Sequence, residues 1–263
     1  MKKDSQTRGR GDVKPISRGQ LTGYLNQLLE PARFKDYCPN GLQVEGSASV
    51  RRIVTGVSAS LALINAAIAK GADTIIVHHG YFWRGEEPTI VGIRAKRIAL
   101  LLRHDLNLYG FHLPLDVHPV IGNNAQLAQQ LGWRVEGVAG DYGLIAWHDL
   151  ANAISATQLS RLLQRRLGQK PLLVGDLTRP IRRVSWCTGA AQDSLQQAIE
   201  LGADAFVSGE ISERTTHLAR EAQVIYAAAG HHATERFGVA ALGRQTQHDL
   251  GVSVEFVDDP NPV

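Results

Sequence analysis

His78 and His79 stand side by side at the end of an apolar run, and His231 and Glu235 stand four residues apart in AAAGHHATE. Asp116 lies between them in the chain, in FHLPLDVHP. Imidazole and carboxylate are ligands for iron, zinc, manganese and nickel, and a carboxylate can bridge two ions. His231 and Glu235 share one face if a helix begins near His231. His78 and His79 point to opposite sides of an extended chain, so each can serve a different ion. The five residues are therefore candidate ligands of a dinuclear metal site, with Glu235 as a natural bridge. Five ligands over two ions leave coordination positions open, and open positions suit activation of a water molecule better than structural stapling.

These residues need strand ends to hold them. In open α/β sheets, working groups collect at the carboxyl ends of the strands. A predicted strand over 74–77 is followed by His78 and His79. One over 106–111 is followed by His112, Asp116 and His118. One over 224–229 is followed by His231, His232 and Glu235.

The chain also repeats itself. AIAKGAD at 67–73 aligns with AIELGAD at 198–204, and the Thr-Gly pair at 55–56 aligns with that at 188–189. Each copy reads as a short strand, a Thr-Gly turn, a helix ended by Gly71 or Gly202, and a buried strand. Further alternation follows, with helices over 95–104, 157–168 and 213–223 and a last strand within 252–258. The expected architecture is α/β: two related βαβ-type modules, 18–135 and 136–263, with the metal site in the cleft between them. Residues 1–17 read as a basic, flexible extension.

The chain has 263 residues, 44% hydrophobic and 20% charged, with a formal net charge of +3. That is ordinary for a globular protein able to bury a real core. No apolar run approaches membrane-span length, the N-terminus has no signal-peptide core, and two cysteines exclude a disulfide scaffold. A cytoplasmic location is expected. Cys187 is expected within a strand, away from the site. No Walker loop, G-x-G-x-x-G motif or serine elbow is present.

VHHGYFWRG (77–85), LYGFHLPLDVHPVIGNNAQLA (108–128), SGEISERTTHLARE (208–221) and AAGHHATERFG (228–238) closely resemble the GTP cyclohydrolase 1 type 2 homologues, the YbgI-type, Nif-three-like proteins. DYCPNGLQVEG (36–46) and the terminal PNP (260–262) extend the resemblance over nearly the whole chain after residue 18. The resemblance implies two similar α/β domains per subunit, a toroidal homohexamer and an intact dinuclear centre. Its adjacent histidines match His78 and His79, its LPLD aspartate Asp116, and its H-x-x-x-E pair His231 and Glu235. It leans towards iron, with zinc next. It also implies that the loop carrying Asn40 lies near the site.

Around those ligands, His112, His118 and Glu210 are candidate proton shuttles. Glu210 aligns with His79 in the repeat, so it either enters the cleft or lies on a solvated helix face with Glu213 and His217. Asn40, Tyr81 and His232 are candidate substrate contacts. Tyr81, Phe82 and Trp83 suit either stacking on a purine or a subunit contact. The leading functional expectation is a metal-dependent hydrolase acting on a nucleotide or related heterocycle, with GTP-type ring opening first. The alternatives are a non-enzymatic, metal-loaded ring that binds protein or nucleic acid partners, and a metal store.

Overall fold

The computed structural model describes residues 14–263. The first half runs β1 (Ile16–Ser17), α1 (Arg18–Leu29), β2 (Gly41–Val44), β3 (Ser49–Val50), β4 (Arg52–Ser58), α2 (Leu61–Ala69) and β5 (Thr74–His79). It continues through α3 (Gly92–Arg103), β6 (Asn107–Gly110), α4 (Leu113–Val117) and α5 (Asn123–Leu131). The second half runs β7 (Gly137–Ala139), β8 (Ile145–Ile154), α6 (Ala156–Leu167), β9 (Leu172–Val174), β10 (Ile181–Trp186) and α7 (Leu195–Glu200). It ends with β11 (Ala205–Ser208), α8 (Glu213–Glu221), β12 (Ile225–Ala228), α9 (His231–Leu250) and β13 (Ser253–Phe256).

This is a mixed α/β fold with two main sheets. One has the order β13-β4-β5-β6-β2, the other β7-β8-β10-β11-β12-β9. Each centres on three parallel strands, β4-β5-β6 and β10-β11-β12. Those strands are short apolar runs buried on both faces, as parallel strands covered by helices must be. The same lock recurs in both. Asp73 Oδ2 accepts from the backbone N–H groups of Arg51 and Arg52, at 2.7 and 3.0 Å. Asp204 Oδ2 accepts from those of Arg182 and Arg183, at 2.8 and 2.9 Å. Arg52 reaches the Lys70 carbonyl, and Arg183 that of Leu201. Gly71 and Gly202 follow α2 and α7 with φ of +62° and +72°, conformations that favour glycine.

Two helices lie between the sheets. Val239, Ala241 and Leu242 of α9 pack with Ile53, Ile76 and Tyr109 of the first sheet. Leu127, Ala128 and Leu131 of α5 pack with Val184, Trp186 and Val207 of the second. The helices approach each other at Gly238, where a Cβ would stand 2.1 Å from Asn123 Oδ1. Truncating one of these buried leucines to alanine costs about 2–5 kcal/mol.

Three expectations are corrected here. The module drawn as 136–263 does not keep its own C-terminus, because β13 pairs in parallel with β4 and α9 covers the first sheet. The alternating pattern of β13 identifies a strand but carries no address for its partner. Thr55-Gly56 is not a turn but the interior of β4, whereas Thr188-Gly189 does follow β10. The extension expected over 1–17 lies outside the described residues as far as residue 13, and Ile16–Ser17 pairs antiparallel with Ser49–Val50. Among the described residues, no helix is long and apolar enough to cross a membrane.

Candidate metal centre

His78 and His79 are the last two residues of β5, so one chain direction delivers both to the sheet's carboxyl edge. His78 is fully buried, and its Nδ1 donates to the Phe111 carbonyl at 2.8 Å. That contact leaves the Nε2 lone pair of the neutral ring pointing inward. His79 Nδ1 lies 3.1 Å from Ser58 Oγ. His231 opens α9, and its Nδ1 donates to Glu210 Oε1 at 2.7 Å. Glu235 follows one turn later, buried. Asp116 sits on α4, where Asn123 Nδ2 donates to its Oδ1 at 2.8 Å.

The side chains converge on the Glu235 carboxylate. Its Oε1 is 3.4 Å from His78 Nε2, which is in turn 3.4 Å from Asp116 Oδ1. Its Oε2 is 3.2 Å from His79 Nε2 and 3.1 Å from His231 Nε2. Two groups of metal-ligating type result: His78, Asp116 and Glu235 on one side, His79, His231 and Glu235 on the other. All five predicted ligands are brought together.

The charge balance suits cations. Burial lowers the affinity of His78 for a proton, but Asp116 and Glu235 outweigh it and raise its pKa to about 9. His231 is likewise pulled down by burial, then raised to about 9 by Glu235 and Glu210. Burial depresses His79 to about 3 against the pull of Glu235, helped by its histidine neighbours. Burial pushes Glu235 up, yet the surrounding histidines hold it well below the usual carboxylate range. Buried carboxylates here demand positive charge, and a divalent ion supplies it while displacing protons. Glu235 Oε2 makes no well-aligned hydrogen bond despite its two imidazole neighbours, as expected of an oxygen whose partner is a cation rather than an N–H. The donor set of nitrogen and carboxylate oxygen fits divalent metal.

The surrounding residues divide differently from expectation. His112 stands beside the site with a ligand atom near those of His78 and His79, and its Nδ1 is 2.7 Å from Asp36 Oδ1. Glu210 does face inward, but it holds His231. Asn40 orients the loop: its Oδ1 accepts from the His112 backbone N–H at 2.7 Å, and its Nδ2 donates to Asp36. His118 is not in the cluster. Its Nδ1 accepts from the N–H groups of Val120 and Ile121, because the chain turns sharply after Pro119. Tyr81 is buried, with its hydroxyl donating to the Ala59 carbonyl, so it packs in the core instead of meeting substrate. His232 is engaged by Asp258 at 2.7 Å, and its backbone N–H donates to the Val263 carbonyl. Cys187 is also corrected: β10 stops at Trp186, so Cys187 lines the cleft beside Glu235.

Several contributors escaped the sequence. Asp36 is 76 residues from His112, too far along the chain to be paired by spacing. Asn123 is only seven residues past Asp116, but an asparagine there carries no ligand signal of its own. Gly189, with φ of +69°, leaves room that a Cβ would take, 2.0 Å from Glu235 Oε1. The Thr-Gly alignment flagged the position without its reason. A cleft of about 530 Å³ opens in front of the ligands, walled by residues of both halves, including Trp83, Leu113, Leu144 and Ala191.

The sequence profile of the DUF34/NIF3 family, described as NGG1p interacting factor 3, matches residues 16–262. The chain belongs to the DUF34/NIF3 family. A Pseudomonas aeruginosa relative named GTP cyclohydrolase 1 type 2 homolog is 48% identical over 250 residues, covering 94% of this chain and 99% of its own. An Escherichia coli K12 relative of the same name is 49% identical over 245 residues, covering 92% and 98%. Among solved structures, one described as protein ybgI, of unknown function, superimposes with a TM-score of 0.91 at 47% identity, covering 94% and 100%. TTHA1606 from Thermus thermophilus gives 0.85 at 33% identity, covering 94% and 100%. The DUF34/NIF3 assignment thus spans both sheets and every residue of the candidate centre.

Proposed function

We propose that this DUF34/NIF3 protein binds two divalent metal ions at Glu235 and uses them to hydrolyse a nucleotide or related heterocycle. The observation that carries this reading is the Glu235 carboxylate, whose two oxygens face two separate groups of imidazole and carboxylate. His78 and Asp116 would hold one ion, His79 and His231 the other, with Glu235 shared. Iron is the first candidate, then zinc, manganese or nickel. We also read the two modules as copies of one unit, on the matched Asp73 and Asp204 locks, and the ligands as occupying the cleft between them.

When bound, the ions would lower the pKa of water and polarise an electrophilic carbon. The protein's own residues do the rest. Phe111 and Glu210 fix the tautomers of His78 and His231. Asp36 orients His112, which stands at the cleft and can pass a proton to a leaving nitrogen. The relatives' name points to GTP as the lead substrate. In that reaction water adds at purine C8, the C8–N9 bond breaks, N9 takes a proton, and C8 remains as a formyl group on N7.

We further read the protein as a homohexameric ring, with the exposed Ile90, Val91 and Ile93 as candidate contact surface. Sedimentation velocity tests this, and a monomer would refute it. The function is tested by metal analysis of tag-free wild type against Glu235→Ala, followed by GTP turnover with the metal found. About two ions per subunit in wild type and fewer in the variant are expected. A well-folded wild type that neither holds nor takes up metal would overturn the reading.

A further inference from the structure

The cleft in front of the ligands is a slot lined by aromatic rings and small apolar side chains. On one side, the segments 36–40 and 81–84 are tied together: Arg84 N–H donates to the Tyr37 carbonyl at 2.7 Å, and its guanidinium to the Asp36 carbonyl at 3.0 Å. These segments present two aromatic rings to the mouth. The Trp83 ring stands edge-on to His112 with centroids 4.9 Å apart, and the Tyr37 ring lies 6.3 Å from it on another side. Trp83 is held by its indole N–H, which donates to the Gly80 carbonyl at 3.2 Å. Its neighbour Phe82 has φ of +67°, a strained conformation for a bulky residue, in the turn that aims the indole at the cleft. The lining from the other half includes the apolar side chains of Leu144, Ala190 and Ala191.

Charge is distributed unevenly. Among the described residues, no lysine or arginine lines the cleft. The nearby cations are engaged elsewhere, the Arg84 guanidinium with the Asp36 carbonyl and Arg214 with Asp193. The protein groups that recognise phosphate chains are arginine, lysine and rows of backbone N–H groups at a helix start, and a bound divalent ion serves as well. This slot offers aromatic faces, small apolar side chains and the hydroxyls of Thr188 and Ser194.

We infer that the slot takes a planar, uncharged nitrogen heterocycle stacked on Trp83, and holds a nucleoside by its base and not by its phosphate chain. This deepens the hydrolase reading and rests on it for the reaction, but not for the binding.

The test compares binding of guanosine, adenosine and their 5′-triphosphates to metal-loaded wild type, Trp83→Ala and Trp83→Phe, by isothermal titration calorimetry. At least one nucleoside is expected to bind wild type measurably without its phosphate chain. Trp83→Ala should weaken nucleoside binding by roughly tenfold, and Trp83→Phe should keep most of it, in line with stacking on an aromatic face. Binding of the triphosphates alone, equal binding by Trp83→Ala, or no nucleoside binding would each overturn the inference. The hydrolase reading fails separately, if the loaded protein opens no ring. Nucleoside held through Trp83 in such a protein would leave the slot assignment standing.

Discussion

Glu210 Oε1 lies 2.7 Å from Nδ1 of His231, so a residue of the β11–α8 connection sets the ring orientation of a candidate ligand on α9. Carboxylates behind a ligating imidazole fix its tautomer and raise its basicity. Glu210→Ala should therefore lower metal affinity about 10–100-fold with the fold intact. Glu210→Gln should fall between. Competition with a chromogenic chelator reads this directly, and equal affinities would remove Glu210 from the site.

Gly189 protects Glu235. Gly189→Ala would put a Cβ 2.0 Å from Oε1, in a backbone conformation with φ of +69°. The backbone strain alone costs about 1 kcal/mol. Metal content should fall nearly as far as in Glu235→Ala, although no ligand has changed. Gly189→Asn tolerates the left-handed backbone better but keeps the clash, so it should recover melting temperature and not metal. Full metal occupancy in both variants would refute the steric role.

His118 serves the turn and not the chemistry. Its Nδ1 accepts from two backbone N–H groups, each at 3.2 Å. His118→Ala should cost about 1 kcal/mol in urea unfolding, the usual penalty for stranding the part-buried Ile121 N–H, since Val120 is exposed to water. Metal content and the pH profile of any turnover should stay as in wild type. A selective loss of turnover at unchanged stability would return His118 to the list of proton shuttles.

Asp36 carries an acid-sensitive part of the stability. Burial would raise its pKa, but the hydrogen bond and charge of His112 outweigh it and hold it at about 2, against an ordinary 3.8. The folded value is the lower one, so the unfolded chain binds more protons. The contribution is complete above about pH 4 and is lost as pH falls towards about 2. The stability gap between wild type and Asp36→Asn should shrink across that window. A gap that stays constant from pH 6 to pH 2 would contradict this pairing.

What the sequence revealed follows the reach of its local patterns. His78 and His79 are neighbours, and His231 and Glu235 are one helical turn apart, so strand ending and helical periodicity suffice to place them. Asp36 and His112 are 76 residues apart, a pairing no local period encodes. The same holds for β13, whose alternation marks a strand while its register with β4 is set by what the folded sheet leaves unpaired. Glu210 was brought into view by the repeat alignment, yet its role depends on the side-chain direction of His231. Tyr81 and Trp83 are two residues apart, and only the strained turn at Phe82 decides that the first is core and the second faces the cleft.

The pairing of β13 with β4 also orders events in time. Arg52 leaves the ribosome long before Ser253, its partner in the finished sheet. His79 likewise precedes His231 by roughly 150 residues, which at ~5–20 residues per second is about 8–30 s of synthesis. During that interval the nascent chain carries His78, His79 and Asp116 without the carboxylate that unites the two ligand groups. The first sheet is closed by β13 and the cluster completed by α9, both made after β4 and β5. Only a chain made as far as α9 can acquire the full complement of candidate ligands, and one stopped short of it lacks both the candidate centre and the helix that covers the first sheet.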